Sequence, residues 1–124
     1  MLGRNSYTRD ELDVARAHVD ALLTAVRATP EPALLAGTVL VLDRLFVHRV
    51  RAVSGKDTNP VTEVELLATS LLAGGTMVDQ KAVKWVPASS VTGIAAGAPV
   101  VLDLATVENL AEAYLTEIEK RFVS

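Results

Sequence analysis

Apolar positions along the chain form three amphipathic stretches and one that is apolar on every side. Leu12, Ala15, Val19, Leu22 and Val26 recur at spacings of three and four, which puts them on one seam of a first helix. Thr8 stands at its cap, Glu11 at the return position of a capping box, and Tyr7 and Leu12 at the positions of a hydrophobic staple. Thr29, Pro30, Glu31 and Pro32 end it, and so short a connection predicts a second helix folding back antiparallel. That second stretch, Pro30 to Ser54, is the unusual one. From Ala33 to Leu42 only Thr38 carries a polar side-chain atom, so the helix has no face suited to water. It is expected to continue to Val53 and stop at Gly55. In its second half, a projection at about 100° per residue gathers Arg44, His48 and Arg51 within roughly 60° of one another. Leu35, Val39, Leu42, Phe46, Val50 and Val53 take the far side.

Asn59 as cap and Pro60 as first residue open a third helix, with Val61, Val64, Leu67 and Leu71 on its core face and Gly74 and Gly75 at its end. The pattern then changes. Val83, Trp85, Val91, Val100 and Val101 lie among Gly and Pro, which predicts two short strands and an irregular loop. Asp103 or Thr106 caps a last helix whose seam is Val107, Ala111, Tyr114, Ile118 and Phe122. Its Lys120 and Arg121 complement the C-terminal dipole. The expected fold is mainly α, an antiparallel helical bundle of about four helices with a small β-hairpin between the third and fourth (α+β). One domain over 1–124 is expected, with the hairpin inserted near 82–102.

Half of the residues are apolar but few are aromatic, so the core must be built from Leu, Val and Ala. A mean hydropathy of +0.32 is high for a chain of 124 residues, which has proportionally much surface to cover. A homo-oligomer is therefore expected, a dimer being the favoured form, and a protein partner is the other expected contact. The net charge of −3 argues against a broad phosphate-binding face, so nucleic acid is not an expected partner. The first 60 residues nevertheless carry eight Lys or Arg against seven Asp or Glu, which leaves room for a local basic patch. Without cysteine there is no disulfide, thiolate chemistry or cysteine-containing zinc site. Residues Met1 to Tyr7 hold no apolar signal core, and the run at Ala33 falls short of the roughly 20 residues that span a bilayer. A cytoplasmic location away from membranes is the expectation.

Chemistry has few places to reside. Arg44, His48 and Arg51, with Lys56 in the following loop, form a candidate anion-binding site: arginine offers a planar fork, and histidine an acceptor or a proton near neutral pH. The competing reading is a solvated helix face, or pairing with Glu63 and Glu65. Asp43 and Arg49 project toward the apolar side and are expected in structural ion pairs, with Arg16, Asp20 or Glu63 as partners. Gly55-Lys56-Asp57-Thr58 lacks the phosphate-loop pattern, since position 50 is Val and a helix precedes it. No Glu-x-x-His unit exists to build a di-metal bundle, so neither metal nor cofactor is expected. His18, near the first helix's seam, is expected to be a partly buried structural histidine. Ser89 and Ser90 sit outside any Gly-x-Ser-x-Gly turn. A helix-turn-helix built on the second and third helices would present Glu63 and Glu65 to phosphates.

Phe46-Val47-His48-Arg49-Val50-Arg51, followed by Gly55-Lys56-Asp57-Thr58-Asn59-Pro60 and Glu63-Val64, resembles a pattern in small, uncharacterised bacterial proteins. The resemblance brings no activity, cofactor or catalytic residue. The expected function is a non-enzymatic oligomerisation or protein-interaction module, with Leu35, Val39, Leu40, Val41 and Leu42 as the candidate association surface. A small enzyme or ligand-binding protein using the Arg44/His48/Arg51 anion site is the alternative, and a DNA-binding protein the lesser one.

Overall fold

A computed structural model describes residues 6–47 and 55–123. It is mainly helical, with four α-helices and no sheet among those residues. The first, α1 (Arg9–Ala28), starts as its sequence dictates. The Thr8 hydroxyl accepts from the Glu11 backbone N–H at 3.1 Å, and the Glu11 carboxylate accepts from the Thr8 N–H at 3.3 Å. Leu12, Ala15, Val19, Leu23 and Val26 are buried. Leu23 replaces the expected Leu22, which is half-buried, because a 3.6-residue repeat steps from 19 to 23 before returning at 26.

Helix α2 (Pro32–Leu42) begins with Pro32, whose missing N–H falls where no helical acceptor exists. Thr38 is buried and donates its hydroxyl to the Leu34 carbonyl at 2.9 Å, which lets a polar atom enter the core satisfied. Regular α geometry stops at Leu42 and gives way to a π-helical turn, Asp43–Val47. The regular α-helix expected here is therefore interrupted at Asp43, and the remainder of its expected run to Val53 lies outside the described residues. A turn closed by i→i+5 bonds no longer advances 100° per residue, so the projection that built the basic stripe does not hold across Asp43–Val47.

Helix α3 (Pro60–Leu72) is capped by Asn59, whose side-chain oxygen accepts from the Val61 and Thr62 N–H groups at 3.0 Å each. It ends where Gly75 donates to the Ser70 carbonyl at 2.8 Å. Gly74 and Gly75 take φ of 116° and 91°, a left-handed conformation that residues with a Cβ rarely adopt. Helix α4 (Leu104–Phe122) is capped by Asp103 rather than Thr106, the Asp103 carboxylate accepting from the Thr106 N–H at 2.7 Å.

Helices α1 and α4 lie antiparallel. Tyr7 donates its N–H to the Phe122 carbonyl at 2.6 Å, and ion pairs run in opposite order along the two helices. Arg9 meets Glu119, Arg16 meets Glu112 at 3.4 Å and Glu119 at 3.8 Å, and Arg27 meets Glu108 at 2.6 Å. Core side chains from all four helices and the π turn pack together, including Leu12, Val39, Leu42, Phe46, Val64, Leu67, Leu110, Tyr114 and Ile118.

Two carboxyls, the exposed Asp103 and the half-buried Glu119, carry a pH signature. The backbone hydrogen bond from Thr106 holds Asp103 below its ordinary 3.8, and the hydrogen bond from Arg9, aided by the charges of Arg9 and Arg16, holds Glu119 below 4.5. Groups depressed on folding stabilise above their unfolded values and lose that contribution as pH falls through the folded ones. Thermal melts should thus lose stability as pH drops below about 4. The double variant Asp103→Asn, Glu119→Gln should show a shallower loss over that window, and an unchanged slope would contradict these assignments.

The β-hairpin near 82–102 does not form. The single antiparallel bridge in this region joins Thr76 to Pro99, and the only other regular element is a 3-10 turn at Pro87–Ser89. The reason is local and tertiary together. Pro87 and Pro99 lack the N–H a ladder needs. Val86, Val91 and Thr92 give theirs to side chains of residues 58 and 63 instead of to a partner strand.

Candidate functional site

Two of the four residues of the anion site expected from sequence, Arg44 and Lys56, lie among the described residues. Arg44 lies exposed on the π turn, and Lys56 lies exposed in the loop before α3. His48 and Arg51 lie outside the described residues, as does Arg49. Of the expected partners for Asp43 and Arg49, Arg16 is engaged by Glu112 and Glu119, and Glu63 by backbone N–H groups. Asp43 is half-buried. His18 is exposed, not partly buried; it follows the core position Ala15 by about one turn and directly precedes Val19, yet its side chain stays in water.

Among the described residues no group of His, Asp and Glu is arranged to hold a metal ion. No described helix is long and apolar enough to cross a membrane. The helix-turn-helix reading also meets a physical obstacle. Val61, Thr62, Glu63 and Val64, the first turn of the proposed recognition helix, are buried within the fold, where they cannot reach a base edge.

The candidate association residues separate by face. Leu35, Val39 and Leu42 are buried in the chain's own core, whereas Leu40 and Val41 remain half-buried. The outer side of α2 contributes to something the apolar run alone did not delineate. Pro32, Ala33 and Ala36 join Leu71 of α3 and Val100, Val101 and Leu102 around an open groove of about 480 Å³. Every described residue lining it is apolar. Val101, and Leu72 next to the lining residue Leu71, are each 76% exposed. Both walls come from residues roughly 30 or more positions away from the floor, so no local pattern announces the groove; the lack of a polar face on α2 was its only sequence signal.

A second groove of about 470 Å³ lies between α1 and the π turn, lined by Asp10, Glu11, Val14, Ala15, His18, Leu45 and Phe46. Acidic residues and an exposed histidine stand beside an apolar floor in which Val14 is 71% exposed.

Glu63 is the charged group that sequence reasoning placed in the wrong contact. It is 1% exposed on α3, and its two carboxylate oxygens are shared by three donors. Val91 N–H lies 2.9 Å from Oε1, while Thr92 N–H and hydroxyl lie 2.8 and 2.7 Å from Oε2. Its placement between Val61 and Val64 on the core side of α3 was the available clue. Ser70, one further pair of turns along, is likewise buried and accepts from the Val78 N–H at 3.0 Å.

No protein-family model matches the chain, and comparisons with curated proteins and with solved structures found no match.

Proposed function

We propose that the protein is a non-enzymatic self-association module whose groove between α2, α3 and residues 100–102 receives a second copy of the chain. The observation that carries this reading is the groove's wholly apolar described lining, flanked by exposed Leu72. Helix α2 spends its inner face, Leu35, Thr38, Val39 and Leu42, on the chain's own core, and presents Pro32, Ala33 and Ala36 outward. Covering such a surface gains about 25 cal/mol per Å² of apolar area removed from water. A two-fold dimer, the commonest closed assembly, would bury the same patch on both copies.

Sedimentation velocity with native mass spectrometry at micromolar concentrations tests it. The wild-type chain is expected as a dimer, and Val101→Asp as a monomer with an unchanged helical circular-dichroism spectrum, since Val101 is largely exposed within one chain. A wild-type chain that stays monomeric at high micromolar concentration overturns the proposal. A Val101→Asp dimer would place the interface elsewhere.

A further inference from the structure

Residues 78–94 form a stretch in which no side chain is buried, yet they cover one of the most deeply buried charges in the molecule. The two ends are tied together independently of that cover. Met77 donates to the Ala98 carbonyl at 2.8 Å, Gly97 to the Met77 carbonyl at 2.8 Å, and Val100 to the Gly75 carbonyl at 2.7 Å. Inside the stretch, Trp85 Nε1 donates to the Ile94 carbonyl at 2.8 Å, and Ser90 Oγ accepts from the Gly93 N–H at 2.8 Å. It is thus closed at its base and braced within.

Its hydrogen-bonded attachments to the rest of the fold are few. Thr58 Oγ1 donates to the Lys84 carbonyl at 2.8 Å and accepts from the Val86 N–H at 2.7 Å, and the Lys84 N–H reaches the Lys56 carbonyl at 2.7 Å. Ser70 takes the Val78 N–H. The remaining anchor is the Glu63 carboxylate with its three donors. Val78, Val83, Trp85 and Ile94 rest against the core while staying only half-buried.

We propose that residues 78–94 are a latched loop that opens and closes as one unit on α3, with the Glu63 carboxylate as the latch. Three physical terms make such opening accessible. The base contacts persist, so opening does not release the whole segment to the unfolded ensemble. With no side chain fully buried, opening returns only the half-covered faces of Val78, Val83, Trp85 and Ile94 to water, which suits a segment that opens locally. Finally, the charge-assisted hydrogen bonds lost at Glu63 are offset by rehydration of a carboxylate that burial had stripped of water. Opening exposes the Glu63 carboxylate while the helical core, Val61 and Val64 included, stays packed.

Glu63→Gln in the full chain is the discriminating variant. A carboxylate accepts on both oxygens, whereas an amide accepts on one and donates from the other, so either Val91 or Thr92 N–H loses its acceptor. Hydrogen exchange read by NMR should quicken roughly tenfold or more at Val86, Val91 and Thr92, matching loss of one hydrogen bond to a charged group. Amides of α1 and α4 should keep their rates. Trp85 is the only tryptophan, so its emission reports the same event by a shift to the red. Equal quickening at all helices, or no change at Val91 and Thr92, overturns the proposal. Should Glu63→Gln not fold, wild-type exchange at low denaturant decides: loop amides must exchange before those of α4, and exchange of both in one global step refutes the latch.

Discussion

Val39→Asp is expected to unfold the protein, while Val41→Asp, two positions along the same helix, leaves it folded. The two valines look alike in a run with no polar contrast, but Val39 is fully buried and Val41 half-exposed. Removing the Val39 side chain forfeits about 1.5 to 3 kcal/mol of burial. Placing an unpaired carboxylate there adds several kcal/mol more. Together they approach the roughly 5 to 15 kcal/mol that holds a domain folded. At position 41 the carboxylate reaches water, and the loss is on the order of 1 kcal/mol, the size of an ordinary substitution. Far-UV circular dichroism with thermal melts separates the outcomes. Cooperative melting by Val39→Asp near the wild-type temperature would refute the placement of α2's inner face.

That pair of residues also marks the boundary of what the chain discloses. Helix starts were legible because caps are local: Thr8 with Glu11, and Asn59 with Pro60, act through atoms within three residues of one another. The seams of α1 and α4 were legible because polar residues mark their outer faces. Helix α2 offers no such contrast, so only its neighbours decide which valine turns inward. The predicted hairpin failed for a related reason. The alternation from Val83 to Val101 fits a strand, but the partners of Val91 and Thr92 are nearly 30 residues away on α3. A side-chain acceptor at that distance leaves no trace in a local pattern. The apolar groove joins segments just as far apart. It arises from the way α2 is packed, not from any motif in it.

The π turn supplies the second large effect, because it delivers Phe46 to the centre of the fold. Phe46 packs edge-on against Tyr7, with ring centroids 4.7 Å apart at 76°, and at a tilt against Tyr114, 6.3 Å away. Three elements meet in that cluster: the residue leading into α1, the turn after α2, and the middle of α4. The two rings beside it, Tyr7 and Tyr114, are themselves buried and packed in place, so the space Phe46 leaves is not filled without moving them. Phe46→Ala is expected to cost about 3 to 5 kcal/mol, the range for a buried phenylalanine whose cavity collapses only in part. Phe46→Leu retains most of the volume and loses the ring contacts, each worth roughly 0.5 to 1.5 kcal/mol, so it should fall between wild type and alanine. Urea denaturation gives both values at a common slope. A cost below about 1 kcal/mol for alanine would mean that the surrounding side chains close over the site, and that the aromatic cluster is not what joins α1, the π turn and α4. The expected larger cost would instead show that Phe46, carried inward by the π turn, is a principal tie between α1, the turn and α4.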